Sequence, residues 1–281
     1  MQHACVMLDT LSVSVDLPPA EAEVVPGVRW GLVEAFPTPA YWAYQVLARR
    51  IEARPIRYRL GQTLSEEVGA CLLGGHGIPA RAGILAFEHL RSRGAFGENV
   101  PDEETLHRWL AEPIQVDGRQ IKYRFAGQKA RYLASALSAL SQHNPPQQSG
   151  RVLRDWLLSL PGIGYKTASW IARNFLDADD VAILDIHILR AGAFAKFLDS
   201  ELTVERDYLK LEEQFLAFSK ALGVRASELD AVIWWDMMAS PNSVAKAMQF
   251  LPDGKFKERH AISGGRTKDR RAHAHQLALI G

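Results

Sequence analysis

Leu160-Pro161-Gly162-Ile163-Gly164-Tyr165-Lys166-Thr167-Ala168 joins two stretches of helical periodicity, about residues 151–159 and 165–176. Glycines at 162 and 164 permit a tight hairpin with almost no side chain between the backbone and whatever lies outside. The second helix then opens with its N–H groups and positive dipole end directed outward, a geometry suited to a phosphodiester. The hairpin carbonyls offer a seat for a monovalent cation. The plainer alternative is an ordinary helix–turn–helix connection whose glycines serve backbone geometry alone. Lys166 falls in the first turn of the second helix, where the dipole disfavours a cation. A solvent-facing lysine or a simple phosphate contact is one account of it. A nucleophilic amine, favoured further by burial, is the other.

Working outward, the 281 residues are 47% hydrophobic and 23% charged, enough for one large or two small domains. The net charge of +1 conceals a strong pattern. Residues 119–173 carry nine basic and one acidic side chain, and residues 255–281 seven against two, while residues 1–118 and 174–254 are net acidic. Basic blocks set between acidic ones suit a polyanion, because binding responds to local rather than global charge. A solvated face with a loose tail is the alternative. No apolar run reaches the roughly eighteen residues of a membrane span, and no secretory leader is evident, so a cytoplasmic protein is expected, at the nucleoid in a prokaryote. The two cysteines, Cys5 and Cys71, cannot supply a four-thiolate zinc or iron–sulfur site. No metal site is expected.

Periodicity predicts a mainly α-helical chain. Residues 1–37 read as an irregular arm with room for a short strand, its apolar clusters at Val24-Val25 and Val28 to Val33 broken by Pro18-Pro19 and Pro26-Gly27. Helices are predicted from Thr38-Pro39, where threonine caps and proline takes the first turn, and from Thr63-Leu64-Ser65-Glu66, a capping-box pattern. Others are expected over about 81–90, 102–110, 128–140, 186–198, 204–222 and 227–238. The expected boundaries are an arm at 1–37, a helical region at 38–253 with the hairpin at 151–176, and a basic tail at 254–281.

Nineteen residues after Lys166, Val181-Ala182-Ile183-Leu184-Asp185-Ile186-His187 brings an acid to the start of a new helix. Taken alone, Asp185 reads as an N-cap. Beside a sugar, the same carboxylate would also stabilise developing positive charge.

The hairpin with its lysine, the nineteen-residue step and the aspartate resemble the helix-hairpin-helix DNA glycosylase superfamily, in its lysine-bearing 8-oxoguanine branch. Ala182-Ile183-Leu184-Asp185-Ile186-His187-Ile188-Leu189-Arg190 is most similar to the archaeal-type glycosylases of the second class. The similarity spans about residues 38–250 and is most specific over 123–190. It implies a two-lobed helical bundle and a monomer acting on double-stranded DNA that contains a damaged base. Lys166 matches the family's nucleophile, Asp185 its catalytic aspartate, and Gly162, Ile163 and Gly164 the hairpin that grips phosphate. Lys129, in the segment before the hairpin, is expected to contact phosphate.

Leu229 to Trp235 resembles the family's late helix, with Asp230 and Trp234 at the base pocket and the tryptophan stacked on the oxidised guanine. The alternative is an aromatic pair in the core. In small archaeal members a terminal carboxylate close behind this helix helps read the base. Here more than forty residues follow Trp234, so Asp236 or a tail residue is the expected substitute. His76 is read as a turn residue and His187 as structural. The iron–sulfur branch of the superfamily does not match. The resemblance implies excision of 8-oxoguanine followed by nicking through β-elimination. Two other readings stay open at this point: a different modified base, and a noncatalytic DNA-binding hairpin.

Overall fold

The computed structural model describes residues 1–53, 59–75, 77–116 and 119–251. His76 and the basic tail at 254–281 lie outside them. The described residues divide into two compact units, 1–53 with 179–251 and 59–178. Both are mainly helical, as the periodicity predicts. No described helix is long and apolar enough to cross a membrane.

The opening residues hold more regular structure than the irregular arm with one short strand that was expected. Strands β1 (Gln2–Leu8) and β2 (Leu11–Leu17) form an antiparallel hairpin in which Leu8 pairs with Leu11 around a two-residue turn. Asp9 takes positive φ there, which a short polar side chain tolerates. Ser-Val-Ser-Val-Asp-Leu alternates as a half-buried strand should, and Val15 and Leu17 are buried while their neighbours face out. A second pair, β3 (Glu23–Val25) and β4 (Val28–Arg29), follows. Val6, Val28 and Trp30 share one hydrophobic core with helix α1 (Pro39–Ile51), so residue 37 does not separate two bodies. As predicted, Thr38 caps α1, its Oγ accepting from Tyr41 N–H. Trp42, Ala43 and Val46 form the buried stripe.

The second unit holds α2 (Leu64–Leu73), α3 (Ala80–Ser92), α4 (Glu103–Ala111), α5 (Ala126–Gln142), α6 (Gly150–Leu157) and α7 (Tyr165–Leu176). Thr63 caps α2 by accepting from Glu66 N–H, but the return bond of the capping box goes elsewhere: the Glu66 carboxylate accepts from Gln62 N–H. A short strand pair, β5 (Ile114–Val116) with β6 (Arg119–Ile121), enters where no strand was predicted; three-residue strands are too brief for an alternation signal. Fully buried Phe87, Leu90, Leu106, Leu110, Leu133 and Leu153 build this core, each contributing roughly 1.5–3 kcal/mol.

The chain then returns to the first unit through α8 (Ile186–Ala195), α9 (Val204–Ala221), α10 (Ala226–Ala239) and α11 (Pro241–Gln249). The last was not foreseen, because Ser-Pro-Asn-Ser reads as a loop; Pro241 instead occupies the first turn and Val244 and Met248 anchor the helix.

Candidate active site

The hairpin of the second unit is built from α6, a tight turn and α7. Ile163 N–H donates to Leu160 O, closing the turn at 3.2 Å. Gly162 is required twice over. Its φ is +80°, and a Cβ there would stand 2.2 Å from the ring of Tyr132, which packs across the turn. Gly164 has no such neighbour: among the described residues, its chain neighbours aside, nothing lies within 4 Å of the position a Cβ would take. It caps α7 without any side-chain acceptor, so the helix start is backbone facing outward. Pro161, Gly162 and Gly164 are exposed, whereas the Ile163 side chain is buried. Only the backbone of Ile163 is therefore available to a ligand.

Lys166 occupies the first turn of α7 and is exposed. The burial that would favour a nucleophilic amine is not present at Lys166. Behind it, Ala168, Ile171 and Ala172 fix α7 to the core.

Lys129 has partners within its own unit. Its ammonium donates to Leu72 O at 2.5 Å and Gly74 O at 3.3 Å, and Tyr123 OH donates to Leu73 O at 2.6 Å. Together they satisfy the last carbonyls of α2, where a cation is favoured. Desolvation pushes the pKa of Lys129 down. In this structure the half-buried residue closes a helix.

Glu67, one residue beyond the predicted box, was missed. It is fully buried; one oxygen accepts from Leu60 and Gly61 N–H and the other from Asn174 Nδ2 on α7. It thus ties the α2 entry loop to the helix that carries Lys166. Desolvation raises its pKa above 4.5 despite those donors. The folded state then holds this proton more tightly than the unfolded one, so stability is lost as pH climbs from 4.5 towards the raised value. Glu67→Gln should remove that slope. Urea unfolding of both proteins across pH 4–8 checks it, their difference cancelling the carboxylates that shift the other way.

In the first unit, Asp185 is the N-cap of α8. Its Oδ1 accepts from His187 N–H at 2.8 Å and Ile188 N–H at 3.0 Å. Among the described residues Oδ2 accepts no hydrogen bond, and the side chain is half-buried. The preceding residues, 181–184, are buried and belong to no sheet. Asp179, also missed, accepts from Ser227 N–H at the start of α10 and from Arg225. Against desolvation, these donors hold its pKa below the usual carboxylate range.

The predicted base-pocket residues lie on α10. Asp230 is buried. Trp234 is half-buried and meets His187 edge-to-face, with ring centroids 6.2 Å apart. Asp236 is engaged by Tyr41 OH at 3.2 Å and Arg49 at 3.4 Å, linking α1 to α10, so it is not an open substitute for a terminal carboxylate. Asp185, His187, Asp230 and Trp234 thus share the first unit, while Gly162, Gly164, Lys166 and Lys129 share the second.

The sequence profile described as 8-oxoguanine DNA glycosylase matches residues 59–224, an interval containing both Lys166 and Asp185. An 8-oxoguanine DNA glycosylase/AP lyase of Metallosphaera sedula is 34% identical over 132 residues, 44% of this chain and 63% of that protein. One from Methanocaldococcus jannaschii is 31% identical over 129 residues, 44% of this chain and 62% of that protein. The match therefore spans a little under two thirds of these two relatives. A third, from Saccharolobus islandicus, is 32% identical over 206 residues, 68% of this chain and 92% of that protein.

Proposed function

Because the chain belongs to the 8-oxoguanine DNA glycosylase family, we propose that it is a bifunctional repair enzyme that excises 8-oxoguanine from double-stranded DNA and nicks the abasic site it creates. It acts as a monomer. One observation carries most weight: an exposed lysine stands in the first turn of a helix opened by a bare glycine hairpin, inside a family match that also includes an aspartate with one uncommitted oxygen.

The chemistry follows from access and charge. Neither C1′ nor the base edge can be reached inside a stacked duplex, so the nucleotide must leave the stack. The hairpin backbone at Gly162 and Gly164 holds phosphate through N–H groups and the α7 dipole. A monovalent cation on the turn carbonyls would add to this grip. As the glycosidic bond loosens, the sugar gains oxocarbenium character and the Asp185 carboxylate stabilises it. The Lys166 nitrogen bonds to C1′ as the C1′–base bond breaks and the base departs. The sugar ring opens to an imine; loss of a C2′ proton then expels the 3′ phosphate and cuts the strand. Trp234 is the stacking surface for the base, with Asp230 beneath it on the same helix.

Asp185 combines two roles that substitution separates. Asp185→Asn keeps an N-cap oxygen, so stability should change by less than about 0.5 kcal/mol, yet single-turnover base release should fall about 10²-fold or more. Asp185→Ala should show the same catalytic loss and cost about 1 kcal/mol besides. Thermal unfolding and excision kinetics on both variants check this.

The function itself is tested with duplexes carrying one 8-oxoguanine opposite each of the four bases, alongside other oxidised bases and undamaged guanine. Base release is scored by alkali cleavage and nicking without alkali. Release of 8-oxoguanine with spontaneous nicking is expected. Preference for another lesion would reassign the substrate, and salt-sensitive binding with no release would leave only a DNA-binding module.

A further inference from the structure

Residues 181–184 pose a problem of backbone accounting. All four are buried, yet they form no strand and pair with none among the described residues. Buried N–H and C=O groups must find partners. For both backbone groups of Ala182 and for Leu184 N–H, two side chains of α9 provide them. Glu212 accepts from Ala182 N–H at 2.9 Å. Tyr208 OH donates to Ala182 O at 2.7 Å and accepts from Leu184 N–H at 3.3 Å. Tyr208 and Glu212 are one helical turn apart and both buried, so they meet the extended segment side by side, as a neighbouring strand would.

The next residue is Asp185. Its N–H donates to Ile183 O at 3.0 Å, and its side chain caps α8. The carboxylate is therefore held from two directions: by the helix it caps, and by a segment whose path Tyr208 and Glu212 set. We propose that Tyr208 and Glu212 are positioning residues for catalysis, fixing the backbone that aims the Asp185 carboxylate at the reacting sugar. This rests on the proposed glycosylase function and adds to it two residues that touch neither DNA nor base.

The energetic reasoning is geometric. Electrostatic stabilisation of a developing charge depends on preorganised placement, and a displacement of about 1 Å can lower a rate by about 10²-fold. Tyr208→Phe removes a single oxygen and leaves the ring in its packing. It frees Ala182 O and Leu184 N–H, so the segment before Asp185 can shift.

The test uses the full chain and separates two reactions. Excision from an 8-oxoguanine duplex passes through the oxocarbenium-like sugar and needs Asp185. Borohydride trapping on a duplex with a preformed abasic site needs the lysine amine and an aldehyde, without that glycosidic bond cleavage. Tyr208→Phe is expected to lower the single-turnover excision rate at saturating enzyme about 10- to 100-fold, while abasic-site trapping stays within about twofold of wild type. Glu212→Leu, which deletes an acceptor by a different side chain, should repeat the pattern. Equal loss of both reactions would mark the pair as purely structural and overturn the proposal, as would wild-type excision in both variants. A wild-type chain that traps at abasic sites but releases no damaged base would refute the glycosylase function itself, and the positioning role with it.

Discussion

Lys166→Gln is expected to fold normally, to bind a duplex containing 8-oxoguanine, and neither to nick it nor to form a borohydride-stable adduct. Lys166 is exposed at a helix start, and glutamine matches lysine in helix propensity, so stability should move by no more than about 0.5 kcal/mol. Binding loses at most one phosphate contact; the slope of log affinity against log salt should fall by about 1. The chemical loss is of another order. Glutamine cannot bond to C1′ and form an imine, and without the imine the strand has no route to β-elimination. Nicking should fall on the order of 10³-fold or more, with binding changed less than about tenfold. If Lys166 were only a phosphate contact, the proportions would reverse: weaker binding, with nicking restored at saturating protein.

Gly162→Ala should have the second-largest effect, first on folding and through it on DNA. Alanine at φ +80° costs about 1–2 kcal/mol, and a Cβ driven to 2.2 Å from the Tyr132 ring adds about 1–3 kcal/mol for the movement it forces. The midpoint of thermal unfolding should drop by several degrees, and duplex affinity should weaken because the turn that presents the α7 N-terminus is displaced. Gly164→Ala is the informative contrast. Its φ is −100° and its Cβ meets nothing, so the loss should be no more than about 1 kcal/mol, that of a weaker cap. Yet a methyl group would now stand where phosphate is to approach. Gly164→Ala should therefore reduce affinity while remaining folded. If it binds like wild type, the hairpin backbone is not the phosphate site.

What could be read in the sequence depended on the kind of signal each residue carries. The hairpin was legible because proline and glycine punctuate two helices of clear period, and its apolar Leu160 and Ile163 are taken into the core. Asp185 was legible as a cap from its place before Ile186-His187-Ile188. Strands β1 and β2 were not recognised, although Ser12 to Leu17 alternates, because the neighbouring prolines suggested a broken segment. Lys129 illustrates a limit of another kind. Its place in the segment before the hairpin suggested phosphate, while its intrachain partners, Leu72 and Gly74, lie more than fifty residues away and leave no trace at Lys129 itself.

Tyr208 and Glu212 were missed for the same reason, though a signal was available. Glu212 interrupts the apolar stripe formed by Tyr208, Leu211, Phe215 and Phe218, and a carboxylate on a buried face implies a partner. Glu67 stands out likewise between the helix cap and Val68. Charged residues inside apolar stripes mark where a fold satisfies polar groups that no regular element can pair.

The most direct measurement is the site of covalent attachment. Wild-type protein is incubated with an 8-oxoguanine duplex, reduced with borohydride, digested, and its peptides are sequenced by mass spectrometry. The account predicts a deoxyribose remnant on Lys166. An adduct on a different amine, such as Lys129 or the N-terminus, or none under conditions where the base is released, would contradict it.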